Sequence, residues 1–368
     1  MPTDRREFFE RMAAALPLIY AGLPRAQAAP SQLGMPGPFP GRVVAVEHPA
    51  SIVNGQYQPE TIQEMMHRGM QELTGAPSWQ DAWRALFQKG DVVGIKVSPV
   101  GGPHLCSDAS VMHGILEGLY AAGLPKSNII VYNRYRQELL AGGIDKWLPE
   151  GIHWEAASEA YSETQHDMEG YDRDHFMEMS LIKPGESFDD PINRRSYVAR
   201  VVTQRVNKII NLPIVKHHQS AGATIALKNL SHGNVNNVNR SHVTSTLNAC
   251  GVFIPSVVSL PVIRDKAVLH IADGVKAQYH GGPSGRPQFQ WEHKTLYFAT
   301  DPVALDKTGL KVLDAKRKEV GMLPIALSKP DKYSTFLNCQ VEHIEIAGQL
   351  GLGVFDDNKI DVRRLNLA

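Results

Sequence analysis

Apolar positions along the chain fall into short runs alternating with longer segments at helical spacing. Arg42–Glu47, Asp91–Val97, Asn128–Tyr132, Asn207–Asn211 and Ala267–Ile271 are β-branched, apolar runs of strand length. Between them, Pro59–Leu73 repeats apolar residues at three- and four-residue intervals. Asp108–Ala122 opens on a capping residue and stops at Gly123, and Asp301–Leu313 opens with Asp-Pro, a cap followed by proline at the first helical position. Strands alternating with helices of this length predict an α/β fold, a largely parallel sheet with flanking helices in one large domain over 42–368. From Ser158 to Asp190 the alternation lapses: ten acidic residues accompany only Arg173 and Lys183. Residues 157–195 therefore read as an acidic surface insertion. No internal repeat is visible.

The first residues break the pattern differently. Arg5-Arg6 precede Phe8-Phe9, then a weakly apolar stretch from Met12 to Leu23, then Ala26-Gln27-Ala28. A charged start, a short apolar middle and an A-x-A end make a secretory signal, and the paired arginines mark the twin-arginine class. The apolar middle is about 12 residues, short of the roughly 20 that cross a bilayer as a helix. The expectation is a signal over 1–28, a Pro/Gly-rich tether over 29–41, passage of the folded chain through the twin-arginine translocase, and a periplasmic or otherwise extracytoplasmic location. The remaining ~340 residues can bury a large core.

Lys and Arg total 38, as do Asp and Glu. This balance argues against a nucleic-acid partner, which favours a basic face. No later apolar run approaches spanning length, so an integral membrane protein is not expected. Cys106, Cys250 and Cys339 are too scattered for an iron–sulfur cluster or a structural zinc.

Three segments carry candidate chemistry. In Asn207–Gly233 a strand ends near Asn211. A polar turn with Lys216, His217 and His218 follows, and then a helix is predicted from about Ser220 to Leu230. Ligands of open α/β sheets bind beyond the carboxyl ends of strands, and small residues at a helix start leave backbone N–H groups free for an anion. Thr224 and Lys228, four apart, would share a face of that helix, next to Asn229. A second segment, Gly94–Asp108, places Lys96 inside an apolar strand, where a buried charge needs a partner or a ligand, and adds Gly101, Gly102 and His104. A third places Asp273 before a Gly-rich loop, Tyr279–Pro287. Lysines in this arrangement suit a small anionic or carbonyl-bearing ligand, with His217 or His218 moving a proton and Asn229 orienting a carbonyl. The expected site is catalytic at Lys216, His217, His218, Lys228 and Asn229, and ligand-binding at Lys96, His104, Thr224 and Asp273. Asp273 is the expected counter-charge for Lys96, Lys216 and Lys228, and no metal is expected. His166–His175 holds metal-ligand residue types but reads as a solvated acidic loop. The alternative to an enzyme is a periplasmic binding or assembly protein using the same pocket.

These pieces together resemble the family called Domain of Unknown Function 362. The likeness rests on the strand Val92–Val97, Leu-Pro-x-x-Lys-x-His at Leu212–His218, and Thr-x-x-x-Lys-Asn at Thr224–Asn229. Ala-Asp-Gly with Gly-Gly-Pro at Ala272–Pro283 and Asp-Pro-Val-Ala-Leu-Asp at Asp301–Asp306 complete it. The resemblance implies polar positions at Lys96, Lys216, His218, Thr224, Lys228, Asn229, Asp273, Asp301 and Asp306. It assigns no reaction, so the cofactor stays open. Some members carry ferredoxin-type cysteine clusters; this chain has none. A His, then small residues, then a Lys is also similar to the active-site stretch of nickel-pincer lactate racemases, as an analogy of pattern only.

Overall fold

The computed structural model describes residues 33–368. The expected signal over 1–28 and the start of the tether lie outside the described residues. In chain order the strands are β1 (Arg42–Glu47), the small hairpin β2–β3 (Ile52–Val53, Gln56–Tyr57), β4 (Val93–Lys96), β5 (Ile129–Tyr135) and β6 (His153–Ser158). After them come β7 (Tyr171–Glu178), β8 (Arg195–Ala199), β9 (Lys208–Asn211), β10 (Ile214–His218) and β11 (Gly222–Thr224). The last three are β12 (Ala267–Gln278), β13 (Gln290–Ala299) and β14 (Asp361–Asn366). A ten-stranded sheet runs β14-β1-β13-β12-β9-β4-β5-β6, with β10 on β12 and β11 on β10. Pairing is parallel except at β13, which runs against β1 and β12, and at β11, which runs against β10. The chain is therefore α/β with a mostly parallel central sheet, as the alternation of runs predicts.

Both faces of the sheet are covered, which is why its strands read as continuous apolar runs. Side chains alternate across the pleat. Ile129 and Val131 join a core with Ile62, Met66, Trp83 and Ile115, from the helices Pro59–Thr74, Trp79–Arg84 and Ala109–Ala121. Ile130 and Tyr132 join the opposite core with Leu227, Phe253 and Ile344, from Ala226–His232, Cys250–Val258 and His343–Gln349. The helix Pro302–Glu319 starts where Asp301 accepts from the N–H groups of Val303 and Ala304, both at 2.9 Å. Among the described residues no helix is long and apolar enough to cross a membrane.

Two local readings change. Met35 and Gly41, inside the stretch read as a tether, are held against the domain: Met35 N–H donates to Arg264 O at 2.9 Å, and Gly41 N–H to Asp301 Oδ2 at 2.9 Å. The acidic segment contains β7, which pairs antiparallel with β8 at its end, and its buried Tyr171 belongs with Tyr197 of β8 to the second core.

The position of the site follows from one break in a strand. The lower half of β12 pairs with β9 (His270 opposite Asn211) and its upper half with β10 (Ile214 opposite Asp273). Between them Leu212 N–H still donates to Lys96 O, but Pro213 has no N–H to give, and its carbonyl accepts from Asp273 N–H instead. Past Pro213 the chain follows β12 alone while β4 has ended at Lys96. The sheet opens there, at the carboxyl ends of β4 and β5.

Candidate functional site

A cleft of about 230 Å³ lies in that opening, lined by Lys96, Asn133, Glu138, His218, Lys228 and His242 among others. It is built from strand ends and one short helix. Val93 and Ile95 point into the first core, so Lys96 points to the other face of β4. Its ammonium, buried, donates to Val97 O at 2.6 Å, Asn133 Oδ1 at 2.9 Å and Asn229 Oδ1 at 3.2 Å. Three acceptors match its three N–H bonds. Burial, followed by Arg134, Lys216 and Lys228, pulls its pKa down to about 7, against Glu138, which raises it. The oxygen shell favours the ammonium, which is the form that all three bonds require.

The shell extends as one network. Asn133 Nδ2 donates to Glu138 Oε2 at 2.7 Å. Asn229 Nδ2 donates to Asn211 Oδ1 at 2.7 Å, and Asn211 Nδ2 to Ala226 O at 3.0 Å and His270 Nδ1 at 3.2 Å. Side chains from β5, β4, β9, β12 and the helix Ala226–His232 are thereby tied together.

That helix is shorter than the predicted one. Gly222, at φ +81°, reverses the chain into β11, which pairs back on β10 with Thr224 opposite Lys216. The small residues Ala221, Gly222 and Ala223 thus form a hairpin, not a helix start. The helix N–H groups are also not free for an anion, because Asp306 Oδ1 accepts from Ala226 N–H at 2.6 Å and Oδ2 from Leu227 N–H at 3.1 Å. Anion binding at this helix N-terminus is therefore corrected: a carboxylate of the chain itself occupies it.

His218, Thr224, Lys228 and Asn229 line the cleft with Lys96, and Lys216 is bonded to Pro283, another lining residue. Lys216 Nζ has one bond, to Pro283 O at 3.3 Å, and burial lowers its pKa to about 8. Lys228 is 7% exposed, and among the described residues its ammonium has no hydrogen-bond or ion-pair partner. Burial lowers its pKa also to about 8. Thr224 Oγ1, buried, is likewise unpartnered.

Three expected site residues lie elsewhere. His104 is on an exposed loop. His217, one residue from His218 on a strand, faces the opposite side and packs on His280 at 5.2 Å between ring centres. Asp273 is buried away from the lysines and accepts from Tyr57 OH at 3.1 Å on both oxygens. Burial, aggravated by Asp108, pushes its pKa up to about 7. The counter-charge for the lysines is Glu138, which stabilises the charged forms of Lys96, Lys216 and Lys228.

The chain positions alone did not single out Asn133, Glu138, His232 or His242. His232 is four residues after Lys228, a spacing that places it on the same helix face. His242 comes from the loop after the helix, with its ring 5.9 Å from that of His218 and 5.3 Å from that of His232. Burial, then Lys228, lower the pKa of all three histidines, that of His242 to about 3. His232, His242 and Cys250 have donor atoms within 4.8 Å of one another, the spacing of a metal set. Ser241 Oγ stands between them, 3.0 Å from His232 Nε2 and 2.8 Å from His242 Nδ1. As folded, the group is a hydrogen-bond network and not an open ligand set.

Residues 157–311 match the family described as Domain of unknown function (DUF362). No curated protein matches the chain. A crystal structure of a protein from Thermotoga maritima is similar over 71% of this chain and 59% of its own, at 12% identity and a TM-score of 0.39. The chain thus spans less than two thirds of that protein's length.

Proposed function

We propose that this protein is an enzyme acting on a small anionic, carbonyl-bearing molecule held in the cleft between β4, β10 and the helix Ala226–His232. The observation that carries the reading is the Lys228 ammonium. It is almost fully buried, without a partner among the described residues, and next to two further buried lysines. An unpaired buried charge is costly, and a bound anion is what removes that cost. Lys96 acts as a fixed positive support whose own bonds are complete, while Lys216 and Lys228 still have N–H bonds to offer. A cleft of about 230 Å³ suits a ligand of a few heavy atoms. Buried imidazoles at its wall favour catalysis over simple binding, because a binding protein has no need of neutral proton carriers beside its cations.

The enzyme is further proposed to act outside the cytoplasm, exported folded by the twin-arginine translocase, on the strength of Arg5-Arg6 and Ala26–Ala28. Replacing Arg5 and Arg6 by Lys is then expected to leave uncleaved protein in the cytoplasm, and unchanged export would overturn the route.

Calorimetric titration with oxalate, pyruvate and inorganic phosphate tests the ligand reading. At least one is expected to bind, with an affinity that falls about tenfold or more in Lys228→Gln, the loss of one charge-assisted bond. No binding of any of the three, or equal binding by the variant, would overturn it.

A further inference from the structure

His218 and His242 enter the cleft from different segments, and their hydrogen bonds favour opposite neutral tautomers. His218 Nδ1 is within reach of Ser220 N–H at 3.2 Å, Ala221 N–H at 3.4 Å and Ser220 Oγ at 3.0 Å. Backbone N–H groups only donate, so Nδ1 must carry the lone pair and Nε2 the hydrogen. His242 is fixed in the opposite sense. Its Nδ1 is 2.8 Å from Ser241 Oγ, whose single hydrogen goes to Val238 O at 2.7 Å. Ser241 Oγ is also 3.0 Å from His232 Nε2; with its hydrogen on Val238 O, the shortest of the three contacts, Nδ1 of His242 donates to Ser241 and Nε2 is left with a lone pair. Both residues line the cleft, and their rings are 5.9 Å apart and inclined at 65°.

We infer that His242 and His218 are a base and an oxyanion-holding donor for enolisation of a small 2-oxo acid. The inference rests on the ligand reading above and adds the reaction class. The substrate carboxylate is held by Lys228, which lines the cleft. His242 Nε2 takes the proton from the carbon next to the carbonyl. The C–H electron pair becomes the C=C bond, and the carbonyl π pair moves to oxygen. The resulting enolate oxygen accepts from His218 Nε2–H, with Lys228 close by. Return of the proton from His242 to carbon completes the cycle, so no oxidant or reductant is consumed. Rings this close suit two neighbouring positions of one substrate, the acidic carbon and the oxygen on the carbonyl carbon beside it. They do not suit attack from opposite faces of one carbon. His218 cannot become doubly protonated while Ser220 N–H points at Nδ1, so it stays a hydrogen-bond donor throughout. Burial first and Lys228 second keep His242 from binding a proton, and an anion beside Lys228 offsets the second of these, so substrate binding itself strengthens the base.

Long-range ¹⁵N–¹H correlation spectra of the full chain, with labelled histidine, read the tautomers directly. His218 is expected to be protonated at Nε2 and His242 at Nδ1, assigned with His218→Gln and His242→Gln. The reverse tautomer at either residue would overturn the inference, as would zinc binding that strips the hydrogen from His242 Nδ1. In D₂O, wild type is expected to wash deuterium into the methyl group of pyruvate. His242→Gln should lose this by about a hundredfold or more while binding the non-enolisable probe oxalate within about twofold. Failure of wild type to bind any of oxalate, pyruvate and phosphate sinks the ligand reading. Binding without wash-in, or wash-in unaffected by His242→Gln, sinks the enolisation alone.

Discussion

The Lys96 ammonium donates to Asn229 Oδ1 at 3.2 Å across 133 residues of sequence, joining the end of β4 to the helix that carries Lys228. This contact gives the two lysines different work. Lys96→Met would orphan the oxygens of Asn133 and Asn229, both buried, at about 1–3 kcal/mol for each group left unsatisfied. Lys228→Met would remove a charge that has no partner. Lys96→Met is expected to lower the melting temperature by several degrees and Lys228→Met to leave it level or raise it, as thermal scanning of the two variants would show. Equal destabilisation would mean that Lys228 holds up the fold.

Gly233 lies against the same lysine. A Cβ there would overlap Lys96 Cε and Nζ and the carbonyl of Asn229. Gly233→Ala must move either the ammonium or the helix end, since packed interiors leave no room for a methyl group. Thermal melting and oxalate titration are expected to worsen together. Unchanged binding at lower stability would detach Lys96 from the ligand site.

Asp306 occupies the start of the Lys228 helix. Asp306→Asn keeps the size but can accept from Ala226 and Leu227 N–H with only one of its two polar atoms, and its amide hydrogens then face a donor. A cost of about 1–3 kcal/mol is expected in chemical denaturation. Ligand affinity should fall as well, because Lys228 is on the first turn after those two residues. A variant as stable as wild type would show the cap to be dispensable.

Acid should destabilise the protein in a predictable window. His343 is fully buried, with Nδ1 donating to Gln340 O at 2.8 Å, and burial lowers its pKa from 6.5 to about 4. The native state thus binds fewer protons than the unfolded chain between these values. The stabilising contribution is complete above pH 6.5 and is lost as pH falls toward 4, up to about 3 kcal/mol. His343→Gln keeps a donor for Gln340 and cannot titrate. Its stability should depend less on pH across this window by about one proton, measured by melting at successive pH values. A parallel shift of both curves would exclude His343 as a source.

What the chain order alone makes legible is local. Strands at Arg42–Glu47 and Lys208–Asn211 and the helices starting at Pro59 and Pro302 follow from periodicity, capping and proline placement, which act within a few residues. Lys216, His218, Lys228 and Asn229 were visible for a related reason: polar residues next to an apolar strand mark its end, and strand ends in a parallel sheet share an edge. Which of His217 and His218 faces the cleft depends on pleat phase, and a shift of one residue exchanges them. Asp273 points away because it shares its pleat phase with Leu269 and Ile271, which face the first core, opposite to the cleft side. Asn133 entered through the packing of β5 beside β4, and Glu138 from the helix Arg136–Ala141 that follows β5. Ser241 came within hydrogen-bond reach of His242 and His232 only after a loop had folded back over the helix. Secondary structure and candidate residue types were therefore written in short-range chemistry, while charge balance, facing and tautomer were decided by contacts between segments tens of residues or more apart.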